Sequence, residues 1–381
     1  MDFLIPQNIL GELNRFRTFL GEEVSSHLSR WYEQGAIPRS LFSLTAEQGW
    51  FSFSFRENHL EKHSALREAL LAEETAKVSP GVAVALLAHQ DLGLTGLWLF
   101  GSPDLQRKYG PPAVRGDALL CIGNTESGAG SDSANISTKA TKVDGGWLLK
   151  GSKAYVTNGS VSDYAIVTAV SDPQGERNQR ISMFMVDLKS DGVKRIKLHK
   201  QVWIPSDLTR IQCTDVFVPD DHLLGERGRG LQQVLSVFTH SRVIISALTL
   251  GTALGALELA LDHGKKRRIF GRSILDHQAK AFESADLYAR LEAARLMMLK
   301  AGWAMDEGKD FRLESSLAKY LAVNVARDVA MWSADLFGAS SVMFEHPIHK
   351  FPMDAWASSL GEGTQDVQKL VIFREMMKKL Q

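Results

Sequence analysis

What most constrains this chain is a change of hydrophobic period, from helical to extended and back. "ALREALLAEETAKV" (Ala65–Val78) and "GVAVALLAHQDLGLTGLWLF" (Gly81–Phe100) place apolar residues at helical spacing, and strand signals are few before residue 117. From Leu119 to Val218 the texture alters. Short alternating stretches such as "GWLLKGSKAYVTNG", "DYAIVTAV" and "RISMFMVDL" are separated by Asp-Gly, Asn-Gly and Asp-Pro turns, which predicts antiparallel strands. Beyond Gly230 helical spacing returns in long blocks, for example "AFESADLYARLEAARLMMLKAGWAM" (Ala281–Met305). Helices, then sheet, then helices, without an internal repeat, predict an α+β fold with a β domain between helical parts. The expected divisions are residues 1–117, 118–222 and 223–381.

Composition removes several function classes. A chain of 381 residues holds two or three domains' worth of core, at about 150 residues per domain. Lys and Arg number 44, as do Asp and Glu, so the formal net charge is zero. That leaves no electrostatic footprint for nucleic acid or an anionic membrane. Cys121 and Cys213 are the only cysteines and make no metal-ligand pair, which fits a reducing cytoplasm and predicts no metal site. "MDFLIPQNIL" has no basic stretch ahead of a long apolar one, so no export signal is expected. The longest nearly uncharged run, Val243–Leu257, has 15 residues and reads as a buried core helix, not a membrane span.

"SSLGEGTQDVQKLVIF" (Ser358–Phe373) sets Glu362 between Gly361 and Gly363 at the head of a helix. Glycine frees the backbone for a tight turn and close approach to a ligand. Thr364, Gln365 and Asp366 suit a helix start, and Val367, Leu370, Val371 and Phe373 give it an apolar face. A carboxylate on such a corner is either a base or a solvated loop acid, and this stretch alone leaves both open.

"TESGAGSD" (Thr125–Asp132), "YVTNG" (Tyr155–Gly159), "RRIFGRSILDHQ" (Arg267–Gln278) and "GEGTQDVQ" (Gly361–Gln368) come in an order and spacing that resembles the acyl-CoA dehydrogenases. "VFVPDDHLLGERGRG" adds a weaker match, and the resemblance runs from about residue 65 to the end. It implies an N-terminal helical domain, a middle antiparallel β domain and a C-terminal four-helix bundle, with FAD between the β domain and the bundle. Residues matching Asn124, Thr125, Gly130 and Ser131 would border the flavin, Ser131 near the pyrophosphate. Tyr155 and Thr157 would line one face of the isoalloxazine. Read alone, these two stretches are ordinary hairpin turns.

The same resemblance sends Arg267, Phe270 and Gln278 to the FAD of a neighbouring subunit, so a homotetramer or homodimer is expected. An Arg there can meet a phosphate with a forked pair of hydrogen bonds; a solvated helix end is the plain alternative. Glu362 falls on the family's catalytic base, with Gly363 beside the substrate and Thr364 and Asp366 on the flavin side of the turn. Such a base removes the proton alpha to a thioester carbonyl, which needs a carboxyl kept in an apolar site. Flavin N5 would take the beta hydride, giving a trans-2-enoyl thioester, and an electron-transfer flavoprotein-like acceptor would take the electrons onward. Some family members put the base just before an Arg on the first long C-terminal helix. Here that stretch is "FTHSRV", with Ser241 before Arg242, so Glu362 is the expected base and Arg242 keeps a structural or thioester-arm role.

Three departures stand out. The family's Gln-x-x-Gly-Gly-x-Gly stretch appears as "DLFGASS", with Asp335 for the amide and Gly338 retained, which puts that cofactor contact in question. A Tyr-Gly-Gly loop is reduced to "SFRENHLEKH" (Ser54–His63). Asp91, in "AHQDLG", falls near the family's acyl-tail pocket; it is either an exposed helix-end acid or a group that recognises a polar or amino-bearing acyl chain. The expected function is FAD-dependent dehydrogenation of an acyl-CoA or acyl-carrier-protein thioester. The alternatives are an oxygen-using acyl oxidase of the same fold and a non-catalytic binding protein with a decayed flavin site.

Overall fold

Serines set where the N-terminal helices begin. Ser64, Ser79 and Ser102 each accept a hydrogen bond from the backbone N–H three residues on, and Pro80 and Pro103 fill first positions that need no N–H partner. The computed structural model describes residues 5–379. Met1–Leu4, which open the stretch read for an export signal, and Leu380–Gln381 lie outside the described residues.

The first region comprises α1 (Gln7–Phe19), α2 (Leu28–Gln34), α3 (Ser40–Glu47), α4 (Ala65–Val78), α5 (Pro80–Leu87), α6 (Thr95–Phe100) and α7 (Pro103–Val114). A π-helical segment, Ala88–Leu94, joins α5 to α6 and carries Asp91. The shortened "SFRENHLEKH" stretch folds as a hairpin, β1 (Phe53–Arg56) and β2 (His59–Lys62). Its two-residue turn, Glu57 and Asn58, takes φ of 49° and 68°, the primed geometry that matches strand twist.

The middle region holds β3 (Leu120–Gly123), β4 (Lys139–Val143), β5 (Gly146–Thr157), β6 (Tyr164–Val170), β7 (Ile181–Asp187), β8 (Val193–Lys197), β9 (Leu208–Pro219) and β10 (Leu223–Leu224). They form one 8-stranded sheet in the order β10-β7-β6-β4-β5-β9-β8, with β3 also beside β6. The predicted antiparallel pairing describes most neighbours, but β3 runs parallel to β6, and β4 meets β6 in parallel at Lys139 and Val170. β6 and β7 also depart from the expected alternation, their residues being buried almost without interruption. They are continuous apolar runs rather than alternating ones, the pattern of strands covered on both faces.

The last region contains α8 (Gly230–Lys266), the short pair β11 (Arg268–Ile269) and β12 (Arg272–Ser273), then α9 (Gln278–Asp306), α10 (Arg312–Phe337), α11 (Phe351–Ala357) and α12 (Gln365–Lys379). Its helices share one apolar core with the N-terminal ones, from Ile9 and Phe16 through Leu70 and Val82 to Leu248, Ala326 and Ala355. Gly251 and Gly255 allow α8 to lie against α4. A Cβ on either would meet the carbonyl oxygens of Glu73 or Lys77 at 2.1 and 2.3 Å. The segments Pro80–Phe100 and Gly230–Lys266 are long and apolar enough to cross a membrane, but 83% of each apolar window is packed inside the protein.

Candidate active site

The corner at Glu362 is built from main-chain carbonyls. Glu362 itself has φ 49° and Gly363 has φ 95°, whereas Gly361 stays out of the left-handed region. Of the two glycines, only Gly363 is there for its conformational freedom. Three consecutive carbonyls then meet donors from three helices. Lys319 Nζ (α10) donates to the carbonyl oxygens of Gly361 and, at 2.6 Å, Gly363. Arg242 Nε (α8) donates to Glu362 O at 3.2 Å, and Gln368 Nε2 (α12) to Glu362 O and Gly363 O at 3.1 and 2.9 Å. Arg242 thus has a structural role at the main chain of the acid.

The Glu362 carboxyl is buried, and burial raises its pKa; Lys319, the Ser241 hydroxyl and Arg242 pull the other way. Ser241 Oγ donates to Glu362 Oε1 at 3.3 Å, while Oε2 has no partner among the described residues. Glu362 is not the only acid in this corner. Asp91 is fully buried, and neither of its oxygens has a hydrogen-bond partner among the described residues. Its carboxyl is raised well above the ordinary range by burial and then by Glu68, with Lys62 and Ser241 opposing and Glu362 adding to the rise. The exposed helix-end reading of Asp91 is therefore incorrect. Asp91 is not among the residues that line the cavity beside Glu362.

That cavity, of about 440 Å³, opens beside Glu362 and is lined mostly by apolar side chains of α5, the π segment, α8 and the sheet. Asn124, Thr125, Tyr155, Thr157, Gly361 and Glu362 all reach it. A register shift between Lys153 and Val156 in the β5–β9 pairing puts Tyr155 at φ 57°. This bulge turns the ring outward, 63% exposed. Trp203, on the loop before β9, forms another wall; its backbone N–H donates to Asp354 Oδ1 at 2.6 Å. Burial raises Asp354 to about 7.

Beneath the Thr125 loop lies a buried pair, Lys153 Nζ to Glu126 Oε1 at 2.7 Å. Glu126 also accepts from Ser137 N, Ser137 Oγ and Thr138 N, and Lys153 and Thr168 hold the Asn124 main chain and side chain. Asn124 is therefore anchored as well as cavity-lining. Gly130 and Ser131 sit on the exposed limb of this loop. At Gly130 a Cβ would meet nothing within 4 Å, which leaves open space beside the loop.

Other expected residues do not converge here. Arg267, Phe270 and Gln278 are exposed on or beside the β11–β12 hairpin, with Phe270 95% exposed. Asp335 is exposed in the last turn of α10, and Gly338 ends that helix at φ 59°. None of these five lines the cavity. Asp366 is exposed and pairs with Lys369 at 3.0 Å, and Thr364 precedes α12. Sequence reasoning missed Lys319 and Gln368. The available signal was a lysine on the same helical face as Ser315, Ala322 and Ala326.

The sequence matches three family models: acyl-CoA dehydrogenase N-terminal domain at residues 13–117, middle domain at 121–216 and C-terminal domain at 228–377. It is 30% identical to a probable acyl-CoA dehydrogenase, YngJ, of Bacillus subtilis, over 95% of this chain and 96% of that protein. It is 31% identical to the caffeyl-CoA reductase-Etf complex subunit CarC of Acetobacterium woodii, over 95% and 96%. A solved structure, PigA with FAD and proline, superposes with a TM-score of 0.94 at 25% identity, covering 100% of both chains. With the cavity, the corner acid and these matches together, the chain belongs to the acyl-CoA dehydrogenase family, FAD-dependent oxidoreductases that act on CH–CH groups.

Proposed function

We propose that this protein oxidises an acyl thioester, carried by CoA or a carrier protein, to the trans-2-enoyl product, with Glu362 as the base. The observation behind this reading is Glu362, half-buried at the wall of a mostly apolar cavity, with its Oε2 out of solvent and without a partner among the described residues. Burial raises its pKa, so the protonated product of proton abstraction is less costly there than in water. Ser241 orients Oε1, and the helical donors hold the main chain so that the acid cannot swing away. The mostly apolar lining excludes water from the thioester and favours a hydrocarbon-like acyl group.

Thr125, Tyr155 and Thr157 on the cavity wall would border the isoalloxazine, and the open space at Gly130 supports a pyrophosphate beside Ser131. These residues would hold FAD, whose chemistry there would be to supply the acceptor for the beta hydrogen. Tyr155 and Thr157 would hold the ring face, and Thr364 and Asp366 would lie on the flavin side of the Glu362 turn. The exposure of Arg267, Phe270, Gln278, Asp335 and Gly338, away from this cavity, supports contact with the cofactor of a second copy, in a homodimer or homotetramer. An Etf-associated relative supports an electron-transfer flavoprotein-like partner as the acceptor, and the two free, buried thiols suit a cytoplasmic setting.

The test is an anaerobic titration of the purified protein, following the visible flavin band. Short, branched and aminoacyl thioesters, on CoA and on carrier protein, would be compared. Bleaching by one class establishes the reaction and its substrate. A flavin-loaded protein that no thioester bleaches rejects the assignment, and fast reoxidation by air would identify the acyl oxidase instead.

A further inference from the structure

Lys319 is among the largest fully buried side chains in the molecule, yet no reaction step requires it. Its ammonium donates to the carbonyls of Gly361 and Gly363, the residues on either side of the base. Among the described residues no peptide is cis. In a trans peptide the C=O and N–H point in opposite directions. With the Gly361 carbonyl held on the Lys319 side, the N–H of Glu362 must face away from Lys319. Gly361 and Glu362 are both on the cavity wall, and the Glu362 N–H makes no hydrogen bond among the described residues. Arg242 and Gln368 hold the Glu362 carbonyl in turn, so the corner is fixed by donors from α8, α10 and α12.

We propose that Lys319 is a positioning residue for the base: by holding the Gly361 carbonyl it fixes the direction of the Glu362 N–H, the group that the family resemblance already makes a donor to the thioester carbonyl, and it keeps a fixed cation behind the carboxylate. This rests on Glu362 being the base. A carbonyl that gains enolate charge needs a donor already in place. Lysine suits the position because one ammonium satisfies two carbonyls with short, charge-assisted bonds. The groups facing the pair are Ser241 and Arg242 on α8, Gln368 on α12 and Asp91 on the π segment. Burial lowers Lys319 to about 8, with Glu362 raising it and Arg242 lowering it further, so the ammonium persists at pH 7 and is lost through pH 8.

The experiment compares Lys319→Met, which fills the space without charge, and Lys319→Gln, which keeps a donor. FAD-loaded, substrate-free protein is titrated by infrared difference spectroscopy, with the Glu362 band assigned by its loss in Glu362→Gln. In Lys319→Met the Glu362 midpoint is expected to move up by about one to three pH units, the effect of losing a nearby opposite charge. The acid limb of the thioester bleaching profile moves with it, and the rate falls about 100-fold, as for a displaced reacting group. Flavin content and circular dichroism stay as in the wild type. Lys319→Gln is expected to keep the raised midpoint while recovering part of the rate, and carries the reading where Lys319→Met does not fold. An unmoved Glu362 midpoint in a folded, flavin-loaded variant overturns the proposal. A midpoint that moves in a protein no thioester bleaches supports the electrostatic role while rejecting the reaction assigned to Glu362.

Discussion

Two of the buried lysine–glutamate neighbourhoods among the described residues treat the acid in opposite ways. At Glu126, Lys153 donates straight to the carboxylate at 2.7 Å, and three donors from Ser137 and Thr138 complete it. Burial pushes Glu126 up, but the charge and hydrogen bonds of Lys153 and the Ser137 and Thr138 donors outweigh it and hold the acid at about 2. At Glu362, the lysine is diverted to main-chain carbonyls, and the carboxylate accepts one long bond, from Ser241. There burial prevails and the pKa rises. A nearby lysine does not decide which acid can take a proton; the number of donors aimed at the carboxylate does. Glu126 is a permanently charged clip under the Thr125 loop, and Glu362 is an acid kept short of partners.

The largest expected effect tests the second half of that contrast. Glu362→Gln should keep FAD and the fold but lose about 1000-fold in the reductive half-reaction, the middle of the range for a positioned base. Stopped-flow bleaching measures it, and normal turnover would remove Glu362 from the role.

Next comes the clip. Lys153→Met leaves Glu126 buried without its cation and should cost about 3 kcal/mol of stability by urea unfolding, the scale for breaking a buried pair from one side. Pairing it with Glu126→Leu should recover much of that loss. A Lys153→Met protein as stable as the wild type would mean the two lysines are alike and the contrast is false.

The glycines sharpen the corner itself. A Cβ on Gly363, already at φ 95°, would meet Gln368 Nε2 at 2.8 Å and Val367 at 3.0 Å, whereas one on Gly361 meets nothing within 4 Å. Gly363→Ala should therefore slow bleaching by about tenfold or more through displacement of the base, and Gly361→Ala should leave it near the wild-type rate. Equal losses from both would place the constraint in the ligand rather than in the turn.

How much of this was legible in the sequence follows the same logic. The change of period around Leu119 and Gly230 carries the order of helices, sheet and helices, because burial of one face imposes spacing on the chain. Glu362, Thr125, Tyr155 and Thr157 were identified by motifs and do share one cavity. Three things were hidden. The parallel β3–β6 pairing joins strands about 40 residues apart in sequence, and local spacing does not say which distant strands become neighbours. Asp91 looked like a helix-end acid because a π segment inside a helical pattern leaves no mark on apolar spacing. Lys319 lies 43 residues from Glu362, and its acceptors are main-chain atoms that no residue type announces.

The smallest effect is also the one that separates the two acids without any substrate. Glu362 has a folded pKa above its unfolded value of 4.5. Its contribution to stability is present below the unfolded value and is lost as pH rises through the folded one. At neutral pH the ionised acid therefore weighs against the folded state, and Glu362→Gln removes that burden. The variant should unfold at higher temperature than the wild type at pH 7, by on the order of 1 kcal/mol, the size of an ordinary single substitution, and the difference should close as pH falls toward 4.5. Glu126 has its folded pKa depressed from 4.5 to about 2. Its contribution is present above 4.5 and is lost as pH falls through about 2. Glu126→Gln should accordingly be less stable than the wild type at pH 7, with the gap narrowing in acid. Opposite signs at pH 7 from the same chemical change would establish that one glutamate serves the fold and the other is held against it for chemistry. Thermal midpoints of the two variants across pH 2–8 measure this directly, and matching signs at pH 7 would break the comparison.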